Sequence, residues 1–494
     1  MVDTDKVRAR IADWRASFED KLAALVEVPT VSMDPSRRGE MVACARLAGQ
    51  MLGEIGARVD ILETGGHPLV IGRITRDPSF PTVTVYNHLD VQPADAAEWK
   101  SPPFSFTRGA GADGGRYFAR GATDDKGPAL AALHGARLAV ETDARVNIQF
   151  LWELEEEIGS PNFARGLGAA IAGAADRAPF MTDSVVVSDT IWTAAGKPSI
   201  SYGLRGLMGF TVTLETGAKD VHSGTTGGVA RNPLTELAGL IAACVDPASG
   251  RVKIPGFYAD VRKLTAVERK GFARAGFSAR IFQKAHELRS LRPHKNDLAM
   301  MESIMALPTF EVHGIVGGYA GPGIKTIVPH RAEAKLSVRL VPDQTPAAIF
   351  KLVRAFIKKR LPDAQVTSEA ANAPYLAPLG GPYNAAAAAS MRDTFGREPA
   401  FTREGGSIGA VLTMKNMLRA PVIFMGLSLP EHGYHAINEN FDWAQASGGM
   451  EMFCRYFHQI AIPTHRVDHP AGSVVPATRG RDVGRAQQRG ARHH

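Results

Sequence analysis

Residues 80–90 read Phe80-Pro-Thr-Val-Thr-Val-Tyr-Asn-His-Leu-Asp90, and the fold is decided by how this stretch is taken. The Thr82-Val83-Thr84-Val85 run has the β-branched composition of a short buried strand, and it ends in the triplet His88-Leu89-Asp90. In open α/β sheets, ligands collect at the carboxyl ends of strands, where this triplet would lie. Residues i and i+2 of an extended chain point the same way, so one side chain can bind a metal while the other orients the ligand set. Taken alone, the triplet reads as a solvated strand end, and the rest of the chain has to decide.

At 494 residues the chain exceeds one ordinary core and predicts two or more domains. Charged residues make up 22% and hydrophobic ones 45%, the balance of a globular protein and not of a disordered one. No apolar run approaches a membrane span, and the charged, amphipathic N-terminus lacks a secretory core, which predicts a cytoplasmic protein with no membrane partner. Cys44, Cys244 and Cys454 are scattered and odd in number, so they form neither a disulfide framework nor a zinc knuckle and are read as reduced thiols. The net charge of +7 raises the question of nucleic acid. Over half of it falls after position 462, where six arginines face only Asp468 and Asp482, among Gly, Pro, Ser and Gln without apolar periodicity. Residues 463–494 are therefore predicted to be a disordered basic tail, and nucleic-acid binding is not expected.

Helical spacing runs over residues 5–28 and again over 41–55, followed by strand signals at 59–62 and 69–74 that lead into the His88 strand. Further on, Gly121-Ala-Thr-Asp-Asp-Lys-Gly127 precedes a helix opened by Pro128, which places Asp124 and Asp125 just before a helix N-terminus. The strand over 146–152 runs into Glu153 and Glu155-Glu156-Glu157, and the strand over 184–187 ends in Ser188-Asp189. Three strands thus finish in acidic or imidazole side chains. Carboxylates gathered at one sheet edge repel by several kcal/mol unless cations neutralise them, so bound metal is the economical reading.

From about Gly206 the texture changes to strands without ligand-bearing tips, and the α/β texture returns near Tyr383. The order predicts a catalytic domain in two parts, 1–205 and 378–462, split by a smaller α+β domain over 206–377.

These motifs together carry a family resemblance. NHLDVQP, GATDDKG, EEEIGS, VVSD, DVHSG, KTIVP, SVRLVPDQTP, EGGS and GYHAINENF occur in the order found in the di-zinc metallopeptidase family. That family includes the carnosine dipeptidases, cytosolic nonspecific dipeptidase, succinyl-diaminopimelate desuccinylase and acetylornithine deacetylase, and the resemblance runs from the first helix to about Phe457. It implies a zinc-peptidase-like α/β/α catalytic domain with a ferredoxin-like lid that also dimerises the protein. It further implies two divalent metal ions, Zn²⁺ or alternatively Mn²⁺, bridged by Asp124. His88 and Asp189 would complete one metal position, and Glu157 and His435 the other. Glu156 matches the general base, Asp90 the acid behind His88, and His222 the lid histidine that reaches the partner's site in a homodimer. Thr326, Arg339 and Ser407 match substrate-binding positions, and a cis peptide between Asp124 and Asp125 is implied as well.

The residue types suit the chemistry. Carboxylates and imidazoles are what Zn²⁺ accepts, and paired ions lower a water's pKa toward neutrality. A glutamate beside the ligands that is not itself bound can take the water proton, and an arginine can grip a substrate carboxylate with two parallel hydrogen bonds. The expected activity is hydrolysis of the amide bond of dipeptides or small peptides, and the alternative is N-acyl-amino-acid deacylation at the same centre. By resemblance, Asp189, where carboxypeptidases and deacylases of the family carry Glu, points to the dipeptidase side. The carnosine branch has a further histidine in the returning lid segment, whereas this chain has none between Arg331 and Glu431. His134, His313, His330 and His432 are read as structural, and Asp125 and Glu155 as neighbours of the site.

Overall fold

The computed structural model describes residues 3–111, 115–173 and 180–461, so the predicted tail lies outside the described residues. Thr82–His88 is a central strand of a six-stranded sheet ordered Arg58–Leu62, Leu69–Ile74, Asn147–Glu153, Thr82–His88, Ser184–Val187, Val422–Phe424. The last four run parallel to one another, and the first two are antiparallel additions at one edge. Burial from Val83 to His88 explains the apolar, β-branched composition, because a parallel sheet covered on both faces exposes neither side of its strands. Register pairs His88 with Glu153, and Tyr86 with both Leu151 and Val187, so three parallel strands end level with one another.

Helices Gly127–Glu141 and Trp443–Ile460 pack together over this sheet. Their approach is close enough that a Cβ on Gly135 would lie 2.6 Å from the Phe453 Cβ and 2.9 Å from the Met450 carbonyl. The run of Ala and Gly in the first of these helices is therefore a packing requirement. The N-terminal helical spacing resolves into two helices, Thr4–Asp13 and Arg15–Val26, because Trp14 caps the first with its N–H on Ala12 and Ile11 carbonyls. Phe18, Leu22 and Leu25 continue the buried stripe across the break.

A second sheet, entirely antiparallel, has the order Thr309–Gly317, Arg331–Leu340, Gly206–Glu215, Gln365–Asn372. Helices Pro233–Cys244 and Pro346–Arg360 cover one face and build an apolar core separate from that of the first sheet. The alternation of buried and half-buried residues along Gly206–Glu215 is the signature of a sheet with one covered face. The basic section over 262–295 holds two short helices, Ala266–Arg274 and Ala279–Ala285. A mixed α/β architecture is thus present, as the sequence predicted. No helix among the described residues is long and apolar enough to cross a membrane, and all three cysteines are buried free thiols.

Candidate active site

The carboxyl ends of the parallel strands bring the predicted ligands together. His88 ends one strand, Glu156 and Glu157 follow the turn after Glu153, Asp189 lies two residues beyond Val187, and the turn before Pro128 delivers Asp124. The peptide between Asp124 and Asp125 is cis. Two three-residue groups result, His88–Asp124–Asp189 and Asp124–Glu157–His435, each with its ligand atoms within 4.8 Å of one another. His88 Nε2 lies 2.9 Å from Asp124 Oδ1 and 3.8 Å from Asp189 Oδ2. His435 Nε2 lies 3.1 Å from both Asp124 Oδ2 and Glu157 Oε2. Asp124 therefore gives one oxygen to each group.

These spacings fit a cation. Donors about 2.0–2.2 Å from Zn²⁺ in a tetrahedron stand roughly 3.3 Å from one another, within the spread seen here, and all the donors are imidazole nitrogens or carboxylate oxygens. Charge points the same way. Burial raises Asp189 to about 7, with Asp124 adding to the effect. Burial opposes protonation of His435, yet hydrogen bonds with Asp124 and Glu157 carry its imidazole up to about 11. Protons thus occupy the place where positive charge is demanded.

The surrounding shell orients the set. Asp90 accepts the backbone N–H of Glu156 at 3.1 Å and of Glu157 at 3.0 Å, and His88 Nδ1 lies 3.1 Å from the Asp90 carbonyl, which leaves Nε2 facing Asp124. Gln92 Nε2 donates to Glu157 Oε2 at 2.7 Å. Glu439, fully buried, accepts from the backbone of Gly121, Thr123 and Asp124 and from Arg120. Sequence reasoning gave no role to Gln92, Tyr434 or Glu439. The last two lie inside the GYHAINENF stretch, whose acidic residue and phenol were the available signals.

Glu156 faces a cleft of about 820 Å³ between the two sheets, with Arg339 and Ser407 in its wall. Arg339 Nη1 donates to Ser407 Oγ at 3.0 Å, and the Ser407 hydroxyl donates to the Arg205 carbonyl at 2.6 Å, so the guanidinium is held before any substrate arrives. Burial lowers the Arg339 pKa, and the Glu156 charge opposes that. His313, read from sequence as structural, also lines the cleft and pairs with Ser337 at 2.7 Å. His432 is buried behind the site, where it bonds Asp442, and His134 is buried in the helical layer. His222 and Thr326 are not brought into this cleft. Both are exposed: His222 pairs with Ile327 in the short Val221–His222 and Ile327–Val328 ladder, Thr326 immediately precedes that ladder, and His222 Nδ1 accepts the Gly224 N–H at 2.9 Å.

Residues 84–459 match the model of peptidase family M20/M25/M40. The chain belongs to that family. It is a metallopeptidase, and the family resemblance read from the motifs holds. Cys-Gly metallodipeptidase dug1 of Schizosaccharomyces pombe is 31% identical over 477 residues, which span 92% of this chain and 98% of that protein. Human carnosine dipeptidase 1 superposes with a TM-score of 0.83 at 28% identity, covering 93% of this chain and 99% of that one. The dipeptidase Dug1p of Saccharomyces cerevisiae gives the same TM-score and identity, over 93% and 98% of the two chains.

Proposed function

We propose that this metallopeptidase cleaves dipeptides with two divalent cations, Zn²⁺ in the first instance. The observation carrying the proposal is the division of Asp124 between two ligand groups, Oδ1 toward His88 and Oδ2 toward His435. His88, Asp124 and Asp189 would hold one ion, and Asp124, Glu157 and His435 the other. When bound, such a pair lowers the pKa of a water and polarises a carbonyl.

The remaining work falls to the chain. Glu156, at the cleft surface beside a ligand glutamate and outside both ligand groups, takes the water proton and returns it to the leaving amine. Arg339, steadied by Ser407, grips the free carboxylate of the substrate. That end-group recognition favours short peptides, in keeping with the dipeptidases among its relatives. Asp90 holds the backbone of both glutamates and so fixes the base relative to the ligands. The antiparallel unit acts as a lid, and its exposed His222 and Thr326 serve the cleft of a second subunit in a homodimer, His222 meeting the oxyanion. The test is metal analysis followed by a screen of dipeptides and N-acyl amino acids on the metal-loaded protein. Turnover confined to N-acyl amino acids would replace this reading with deacylation.

A further inference from the structure

Behind the two ligand groups lies a chain of hydrogen-bonding side chains that the catalytic scheme leaves unused. The Tyr434 hydroxyl lies 3.0 Å from Asp189 Oδ1 and 3.2 Å from Ser428 Oγ. Ser428 Oγ is 2.8 Å from Thr123 Oγ1, which is 3.2 Å from His432 Nδ1. The Leu429 N–H donates to that same Nδ1 at 3.1 Å, so Nδ1 is an acceptor and the ring proton sits on Nε2, 3.0 Å from Asp442 Oδ2. The chain thus starts at the cap of the last helix, passes the residue preceding Asp124, and ends on Asp189.

Proton bookkeeping orients its end. With a cation bound, Asp189 is ionised and only accepts. The phenol is the donor toward both neighbours but has one proton to give, and the charged carboxylate at 3.0 Å is a stronger acceptor than Ser428 Oγ at 3.2 Å. Tyr434 therefore donates to Asp189 Oδ1, while the Ser428 hydroxyl can donate to the Thr123 carbonyl at 3.2 Å. That assigns the two oxygens of Asp189 different tasks. Oδ1 is taken by the phenol, and Oδ2 is the one turned toward His88 Nε2, at 3.8 Å. The neighbouring residue does the opposite job: His435, with a left-handed φ of 55°, sends its imidazole to Asp124 and Glu157. Consecutive residues therefore serve different ligand groups.

From this geometry we infer that Tyr434 is a positioning residue, acting through Asp189, that fixes a one-oxygen ligand and thereby sets the affinity of the His88–Asp124–Asp189 group for its cation. The inference rests on the two-ion reading above. Outer-shell partners of metal ligands are typically worth about 10–100-fold in affinity.

The experiment is competition between the metal-free full-length protein and a chromophoric chelator for Zn²⁺, with the visible spectrum of the Co²⁺-loaded protein recorded alongside. The unmodified protein should take up two ions per chain. Tyr434→Phe keeps the ring and should weaken one of the two binding constants by about 10–100-fold, leave the other in place, and shift part of the Co²⁺ spectrum. Ser428→Ala removes the phenol's other partner and should move the same constant in the same direction by less, which keeps the test available if Tyr434→Phe folds poorly. Two unchanged constants in either folded variant, or equal losses at both sites, would overturn the role of Tyr434. Uptake of fewer than two ions by the unmodified protein would instead overturn the two-ion reading, and the inference with it.

Discussion

Glu439 and Asp124 are 315 residues apart in sequence, yet Glu439 Oε1 accepts the Asp124 backbone N–H at 3.1 Å. The same oxygen accepts the Thr123 N–H at 3.0 Å, while Oε2 takes the Gly121 N–H at 3.0 Å and Arg120 Nη1 at 2.8 Å. A buried carboxylate with four donors holds the turn that carries Asp124. Glu439→Gln keeps one acceptor oxygen and turns an amide toward N–H groups, leaving donors and the Arg120 charge unpaired. Breaking such a buried pair costs about 3–5 kcal/mol. The expected outcome is a large fall in Tm together with weaker uptake of metal, read by thermal unfolding with and without Zn²⁺. A Tm unchanged in both conditions would remove Glu439 from this role.

Glu156 and Glu157 are adjacent, but only Glu157 belongs to a ligand group. Glu156→Gln should therefore retain both ions and lose nearly all turnover, a fall of about 10²–10⁴-fold if its work is proton transfer. Glu157→Ala should lose metal. Metal content by elemental analysis separates the two, and equal metal loss in both variants would mean that the glutamates are assigned the wrong way round.

Legibility followed the locality of the signal. His88, Asp124, Glu157 and Asp189 each stand at or just after a strand or before a helix whose pattern is local, so their meeting at one sheet edge could be read from order alone. Ser407 was legible as part of a glycine turn, but its grip on Arg339 and Arg205 joins residues up to 202 apart, and no periodicity encodes that. Tyr434 and Glu439 escaped for the same reason. Their partners, Asp189, Thr123 and Asp124, come from the other end of the chain, and a phenol or glutamate in a loop has no local reason to be inward-facing. The break at Trp14 escaped differently, since the apolar stripe continues through it and only the backbone at one residue departs.

His134 lies in the helix Gly127–Glu141 and belongs to neither of the candidate ligand groups. It is buried between the Trp14 and Phe18 rings, its Nδ1 pairs with the Leu130 carbonyl at 2.8 Å, and its Nε2 has no partner among the described residues. Burial lowers its pKa from 6.5 to about 4. The unfolded chain therefore takes up a proton that the folded chain refuses. Stability is undiminished above pH 6.5 and falls as the pH drops toward 4, by on the order of 3 kcal/mol at the lower limit. His134→Leu removes this proton uptake, so the variant should lose less Tm than the unmodified protein between pH 7 and pH 4.5. Equal losses in calorimetry would show that this imidazole does not titrate on unfolding.

His222 is exposed at the end of Val221–His222 and absent from the lining of its own chain's cleft, whereas Glu156 lines that cleft. If His222 completes the oxyanion site of a second subunit, the two residues act in one reaction while belonging to different chains. Glu156→Gln and His222→Ala should each be nearly inactive as homodimers. Mixed under conditions that allow subunit exchange, they form a heterodimer in which one cleft has both Glu156 and the partner's His222, and the other lacks both. With complete statistical exchange of equal amounts, half the dimers are mixed and one of their two sites works, so activity should return to about one quarter of the unmodified level. Exchange can be verified independently by native mass spectrometry of differently labelled chains. Proven exchange with no recovery of activity would place His222 in its own subunit's chemistry or in the lid structure alone.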